Sequence, residues 1–320
     1  MRMRGLHMAC VAAAMLAGSM SILAQQQPTP GAGAPAQGGG GPGGAGGRQG
    51  GGPPAAPPAI KQVKPGLYMV TGIGGNTTVR VANEGLIVVD TKNLGDANYS
   101  ALMDQIKTVS TAPVKYVFIT HHHQDHSGNI GKFIESGATV IVQDNLNKNL
   151  DTYNPPQGKP TKANNTYGED REVKLGNATA KGYYFGRGHT NGDTFVYFPD
   201  LRVVATGDMF VAQAPNADYP FGGSAVEWVK TLDKLLKLDF DTAIPGHGND
   251  PMTKADVQAF RDKMNTLVTR AQQAVKSGTP KEQLLASLKT DDIGWNVNTP
   301  QWSQPARLDP FYAELQGSAK

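Results

Sequence analysis

The chain has 320 residues, of which 39% are hydrophobic and 18% charged, with a formal net charge of +3 and a single cysteine. The near-neutral balance, with no basic cluster and no acidic run, argues against nucleic acid or an anionic membrane surface as a main partner and leaves a small-molecule substrate. One thiol, Cys10, rules out an internal disulfide.

Residues 1–24 have the layout of a secretory signal peptide. Arg2 and Arg4 precede an apolar run from Met8 to Leu23, and Ala24 stands before a polar Gln25-Gln26-Gln27. The run is short for a membrane span, so an exported protein, periplasmic or secreted and without a stable membrane anchor, is expected. Cys10 lies at the start of the apolar run and reads as a small apolar residue. The mature chain then carries no thiol and has 28 basic against 27 acidic side chains. Residues 25–59 are Gly, Pro, Ala and Gln with Arg48 as the only charge, a composition that reads as a disordered or polyproline-like linker. Residues 60–320 are expected to form one domain with a helical C-terminal extension.

The domain opens with strand patterns at Leu67–Val70, Thr77–Ala82 and Leu86–Asp90. A helical period over 96–108 follows. Val114–Ile119 is almost continuously apolar, as a strand covered on both faces would be. A short helix is expected over 128–135 and a buried strand over 139–142. Residues 144–170 read as a helical start followed by a surface loop. Strand pairs at 172–175 with 179–185, and 194–198 with 201–206, come next. Ser224-x-x-Glu227 reads as a capping box opening a helix to Leu238. Thr242–Ile244 is a short strand, Thr253-x-x-Asp256 opens a long helix ending at Ser277-Gly278, and Thr279-Pro280-x-Glu282 opens another. Trp295, Trp302 and Phe311 in the tail are expected to cover a core edge. Strands and helices alternate twice, which predicts an α/β (α+β) domain of two sheets packed face to face, each with helices outside.

One stretch concentrates chemistry. The strand over 114–119 delivers Thr120-His121-His122-His123-Gln124-Asp125-His126-Ser127-Gly128 at its end. Three imidazoles and a carboxylate so close together cannot all face an apolar core, and they are ligand types suited to zinc. In an extended turn His121 and His123 point the same way, while Asp125 and His126 can reach a second ion. Of the seven histidines, His7 is in the leader and His122 is spare.

The stretch resembles the signature of the metallo-β-lactamase superfamily. Later motifs continue the likeness in order over about residues 60–275: Gly188-His189-Thr190, Thr206-Gly207-Asp208 and Pro245-Gly246-His247-Gly248, each after a predicted strand. The resemblance implies a four-layer αββα sandwich with metals at one edge between the sheets. It implies His121, His123 and His189 on a first ion, Asp125, His126 and His247 on a second, and Asp208 bridging them. Asp125 and His126 are the catalytic residues it suggests. The implied cofactor is two Zn2+ per chain, with iron or manganese as alternatives. A water between two such ions ionises near neutral pH and serves as nucleophile.

The expected function is thus a dinuclear zinc-dependent hydrolase of a small ester, lactone, thioester or amide. A β-lactamase is the first alternative, and an iron-dependent persulfide dioxygenase-type oxidoreductase the second. The carboxylate at 208 resembles the thioesterase and lactonase branches, and Val211 stands where lactamases commonly carry a substrate-gripping lysine. Two weaker expectations concern neighbours. Asp90 is expected to accept the outer N–H of a ligand histidine, and the 214–223 loop to wall a pocket, with Tyr219 offering a phenol to an oxyanion. The sequence leaves the oligomeric state open.

Overall fold

A computed structural model describes residues 56–318; the expected signal peptide and residues 25–55 of the expected linker lie outside the described residues. Seven strands form a first sheet in chain order: β1 (Ala59–Lys64), β2 (Leu67–Thr71), β3 (Thr77–Ala82), β4 (Gly85–Val89), β5 (Val114–Phe118), β6 (Thr139–Gln143) and β7 (Asn165–Tyr167). The first four are antiparallel and the last three join parallel. Parallel neighbours need crossovers. These carry α1 (Asp96–Lys107), the short α2 (Gln124–Ser127) with α3 (Ile130–Glu135), and α4 (Asp144–Thr152).

The second sheet takes β8 (Asp170–Leu175), β9 (Ala178–Tyr183), β10 (Phe195–Phe198), β11 (Val203–Ala205), β12 (Thr242–Ile244) and β13 (Met252–Thr253), again in chain order. Only β11 and β12 are parallel, and α5 (Ala225–Leu235) crosses between them. The chain ends in α6 (Lys254–Lys276), α7 (Lys281–Ser287) and α8 (Pro305–Ser318).

Strand alternation divides the core into three layers. On β4, Ile87 and Val89 face the second sheet, where they join Phe118, Val196, Phe198, Val203 and Ile244. Leu86 and Val88 face outward, toward Leu102, Ile106, Ile130 and Phe133 of α1 and α3. On β10 the same alternation sends Phe195 and Tyr197 outward to Trp228, Leu232, Phe260 and Met264 of α5 and α6. Helix, sheet, sheet, helix is the four-layer αββα order. Trp295, Trp302 and Phe311 are buried in the outer layer of the second sheet, as expected.

Several local expectations differ. β1 begins where the linker was expected to end. Its polar sequence Ala-Ile-Lys-Gln-Val-Lys carries no apolar run, and its pairing with β2 supplies what the side chains do not. The capping box at Ser224 is half formed: Ser224 Oγ accepts Glu227 N–H at 2.9 Å, but the Glu227 carboxylate turns away to a bidentate pair with Arg187. At Thr253 both halves of the box form. Pro280, rather than Thr279, stands at the cap of α7.

Candidate metal centre

The chemistry-bearing residues gather at one edge of the two sheets, mostly past the C-terminal ends of parallel strands. Asp90 follows β4, the histidine stretch follows β5, Asp208 follows β11 and His247 follows β12; His189 comes from the loop between β9 and β10. Asn76 fastens the two sheets beside the centre: its backbone N–H donates to Gly246 O at 2.7 Å and its side chain to Pro245 O and Gly248 O at 3.0 Å. Two glycines are demanded by space. A Cβ on Gly246 would lie 2.1 Å from Asp208 Oδ1, and one on Gly75 would lie 2.1 Å from the His126 ring.

All seven predicted metal-site residues are brought together, in two groups that share Asp208. Asp208 Oδ2 is 4.0 Å from His121 Nε2 and 3.8 Å from His189 Nε2. Its other oxygen, Oδ1, is 3.2 Å from His126 Nε2 and 3.4 Å from His247 Nε2. Asp125 Oδ2 joins the latter pair at 3.5 and 3.2 Å. His123 Nδ1 joins the former, 3.1 Å from His189 Nε2.

The outer hydrogen bonds fix which way the lone pairs face. His126 Nδ1 lies 2.7 Å from Asp90 Oδ2, His123 Nε2 lies 2.8 Å from Asp218 Oδ2, and His189 Nδ1 lies 2.5 Å from the Asn216 carbonyl. Carboxylates and carbonyls only accept, so these outer nitrogens carry the protons. Thr120 Oγ1 donates to Asp90 Oδ2 and therefore accepts from His121 Nδ1–H at 3.0 Å. The inner nitrogens of His121, His123 and His189 are then bare lone pairs aimed at their neighbours, whereas His126 Nε2 faces the Asp125 and Asp208 carboxylates. His123 Nδ1 and His189 Nε2 face each other lone pair to lone pair at 3.1 Å. Such an arrangement is repulsive unless a cation or extra protons sit between. His121 Nε2 and Asp208 Oδ1 are buried without hydrogen-bond partners, the latter despite its nearness to His126. Converging neutral imidazoles around a shared carboxylate fit two divalent cations of the zinc kind.

Electrostatics separate the two groups. Burial pushes His121 well below the usual imidazole range and His189 down to about 4. Burial would lower His126 and His247 as well, but the carboxylates of Asp125 and Asp208 overcome it. They hold His126 well above its ordinary value and raise His247 to about 9. Asp208 is kept low, against its burial, by His126, His247 and His121.

A model of the metallo-β-lactamase superfamily matches residues 70–247. The chain belongs to that superfamily. Among its relatives, metallo-β-lactamase IND-1 of Chryseobacterium indologenes is 27% identical over 191 residues, covering 57% of this chain and 77% of that protein. The 2,4-dinitroanisole O-demethylase subunit alpha of Nocardioides sp. (strain JS1661) is 29% identical over 136 residues, 42% of this chain and 40% of that one. The solved metallo-β-lactamase from Pontibacter korlensis shares the fold, with a TM-score of 0.56 at 18% identity over 64% of this chain and 99% of that one.

Seen on the superfamily fold, three details amend the sequence reading. Asp125 and His126 sit on the helical turn α2 rather than in an extended segment, with His123 extended just before it. His122 lies outside the two groups that share Asp208, though its ring comes close to His123 and Asp218. It is fully buried against Tyr153 and Phe221, with both ring nitrogens unpartnered, and burial drives it down to about 2. Tyr219 does not offer its phenol to the centre: its hydroxyl donates to Glu314 Oε2 at 2.8 Å. The loop does wall a small cavity of about 150 Å³, lined by Val211, Gln213, Ala214 and Asn216 beside His189, Asp208 and His247.

Asp90 accepts His126 as expected, and also the Thr120 backbone N–H at 2.7 Å, which holds it at a φ of +65°. The sequence did not point to Asp218, Asn216, Asn76 or Lys92. Lys92 is fully buried and donates to Val70 O and Gly75 O, both at 2.6 Å. It thereby fixes the glycine turn that closes over His126. Burial, partly offset by Asp90 and Asp125, lowers its ammonium to about 7.

Proposed function

We propose that the chain is a dinuclear, zinc-dependent hydrolase that opens a small, uncharged ester, lactone, thioester or amide. The observation that carries this reading is Asp208, whose two oxygens face the two histidine groups separately. Two divalent cations, when bound, would supply polarising charge and lower the pKa of water toward neutrality. The chain's part is to hold those charges and shape the cleft. His121, His123 and His189 present lone pairs on one side, while Asp125, His126 and His247 do so on the other. Asp125, whose side chain stays 30% exposed at the cleft, and His126, buried beside it, are assigned the catalytic part.

Uncharged substrates are favoured by the cavity wall. Val211, Gln213, Ala214 and Asn216 bring hydrocarbon and amide groups and no cation to grip a substrate carboxylate. A second reading, β-lactam hydrolysis, is favoured by relatives such as the Chryseobacterium lactamase. One experiment separates the two: kcat/KM of zinc-loaded protein for penicillins, cephalosporins and carbapenems against lactones and thioesters. A neutral lactone or thioester is expected to lead. A β-lactam value well above every other class would replace the first reading with the second.

A further inference from the structure

The superfamily match stops at residue 247, yet the chain continues through three further helices. The last of them, α8, does more than cover hydrophobic surface. It lies against the loop that leads into α5, and that loop supplies the outer acceptors for two of the three first-group histidines. Asn216 O takes His189 Nδ1–H, and Asp218 takes His123 Nε2–H. Both acceptors sit on irregular backbone, with no strand ladder to hold them.

The restraint comes from α8 by two polar side chains. Arg307 donates to the Asn216 side-chain oxygen and, at 3.0 Å, to Ala217 O, so it brackets the peptide between the two acceptors. Seven residues on, two helical turns away on the same face, Glu314 accepts from Tyr219 Oη at 2.8 Å and from Ser224 Oγ. The loop is thus fixed at its start by one charge and at its end by the other. Between those anchors the Phe311 ring packs 6.1 Å from Tyr219. Asp218 N–H donates to His189 O at 2.7 Å, which couples the two histidines through the same loop.

We propose that α8 is a positioning element for the first metal group, with Arg307 and Glu314 as positioning residues acting on His189 and His123 through residues 216–224. The inference rests on the reading of that group as a metal site. The physical reason is that an imidazole ligand is oriented by the acceptor of its outer N–H, so an unanchored acceptor leaves the ligand free to turn. Loss of such a partner weakens metal binding by about 10- to 100-fold. His126 of the second group takes no acceptor from this loop, because its outer N–H is held by Asp90 just after β4.

The test is stepwise zinc affinity, measured on the full chain by competition with a chromogenic chelator, for Arg307→Ala, Glu314→Gln and Arg270→Ala. Arg270 belongs to the same extension but pairs with Asp292 and serves as control. Arg307→Ala is expected to weaken one of two zinc steps about tenfold or more, with the other step and Arg270→Ala unchanged. Arg307→Lys should recover part of the loss, because a single Arg307 nitrogen makes both contacts. Thermal unfolding in chelator reports the purely structural share. If Arg307→Ala does not fold, Glu314→Gln decides alone. Two zinc steps in the parent with both steps unchanged in the folded variants would overturn this inference and leave the metal reading standing. A parent chain that takes up no zinc would overturn the metal reading and this inference with it.

Discussion

His121 and His189 meet His123 as neutral imidazoles in a desolvated wall, whereas Asp125, His126 and His247 meet among carboxylates. In the first group burial dominates, and His189 is held down to about 4. In the second group charge dominates, and His247 is raised to about 9. Their supports differ as well. The first group leans on a loop tied to the C-terminal helix, and the second on Asp90 and the glycine turn anchored by Lys92. Two clusters a few ångströms apart therefore differ in protonation: His121 and His189 are held neutral at pH 7, whereas His126 and His247 hold protons that a cation would have to displace.

The largest test of this picture is Asp208, the one residue both halves share. Asp208→Ala should weaken zinc at both positions and lower kcat/KM on the order of 1,000-fold, the scale of losing a principal electrostatic group. Zinc content by atomic emission and turnover on the best substrate check it. A variant that keeps one tight zinc step would mean that the halves are more separate than the geometry of Asp208 indicates. Removing single inner ligands (His121→Ala, His123→Ala, Asp125→Ala) should each abolish most activity while affecting mainly their own half.

Proton release sharpens the contrast. A ligand imidazole must be deprotonated, so binding releases whatever proton its raised pKa retains. His121 and His189 hold none at pH 7, whereas His247, at about 9, does. Raising the pH from 6 toward 9 should therefore strengthen zinc binding at the second group by about tenfold per unit for each proton lost, and leave the first nearly flat. Calorimetric titrations in two buffers of different ionisation enthalpy count the protons. Equal release in both steps would erase the distinction.

The outer acceptors give a smaller, paired effect. Asp90→Asn should weaken zinc at the second group by about 10- to 100-fold, and Asp218→Asn should do the same at the first. Each is read by chelator competition: Asp218→Asn should spare the second group, whereas Asp90→Asn should also loosen His121 of the first group through Thr120, which Asp90 holds against the His121 ring. A loss at the second group from Asp218→Asn would show that the two groups are coupled through more than Asp208.

Which parts of this were legible in the sequence follows from how each residue is held. The clustered histidines and aspartates could be picked out because imidazoles and carboxylates near strand ends have no place in a core, and most of them follow a strand whose apolar run is itself legible, His189 being the exception after Ala178–Tyr183. The two-sheet layering could be read from the twofold alternation of strand groups and helical stretches along the chain. Asp218 and Asn216 could not, because they stand in a loop without periodicity and meet His123 and His189 at separations of 95 and 27 residues. The strands β1, β7 and β13 are short and polar, and backbone pairing rather than side-chain pattern makes them. The bounds of α8 were hidden by Pro310, a helix breaker by propensity that this helix contains in its interior. The sequence does not single out Lys92, and only the fold reveals the two carbonyls that its ammonium meets.

His122 offers the smallest and most discriminating test, because it stands within the ligand stretch yet belongs to neither half. Its ring is fully buried against Tyr153 and Phe221, and both of its nitrogens lack hydrogen-bond partners. Its nearest carboxylate oxygen, on Asp218, is 3.7 Å away. The side chain is therefore uncharged packing material, and buried polar atoms without partners are a cost that an apolar isostere avoids. His122→Ala should leave two zinc per chain and most of the activity, while lowering the stability of the metal-free protein by about 2–4 kcal/mol through the cavity left behind. His122→Leu fills that space without buried nitrogens, and its unfolding free energy should fall within about 1 kcal/mol of the parent's. Denaturant unfolding in chelator, alongside zinc counts, measures both variants. Zinc loss in His122→Leu would make this imidazole a participant in the centre and undo its separation from the two ligand groups.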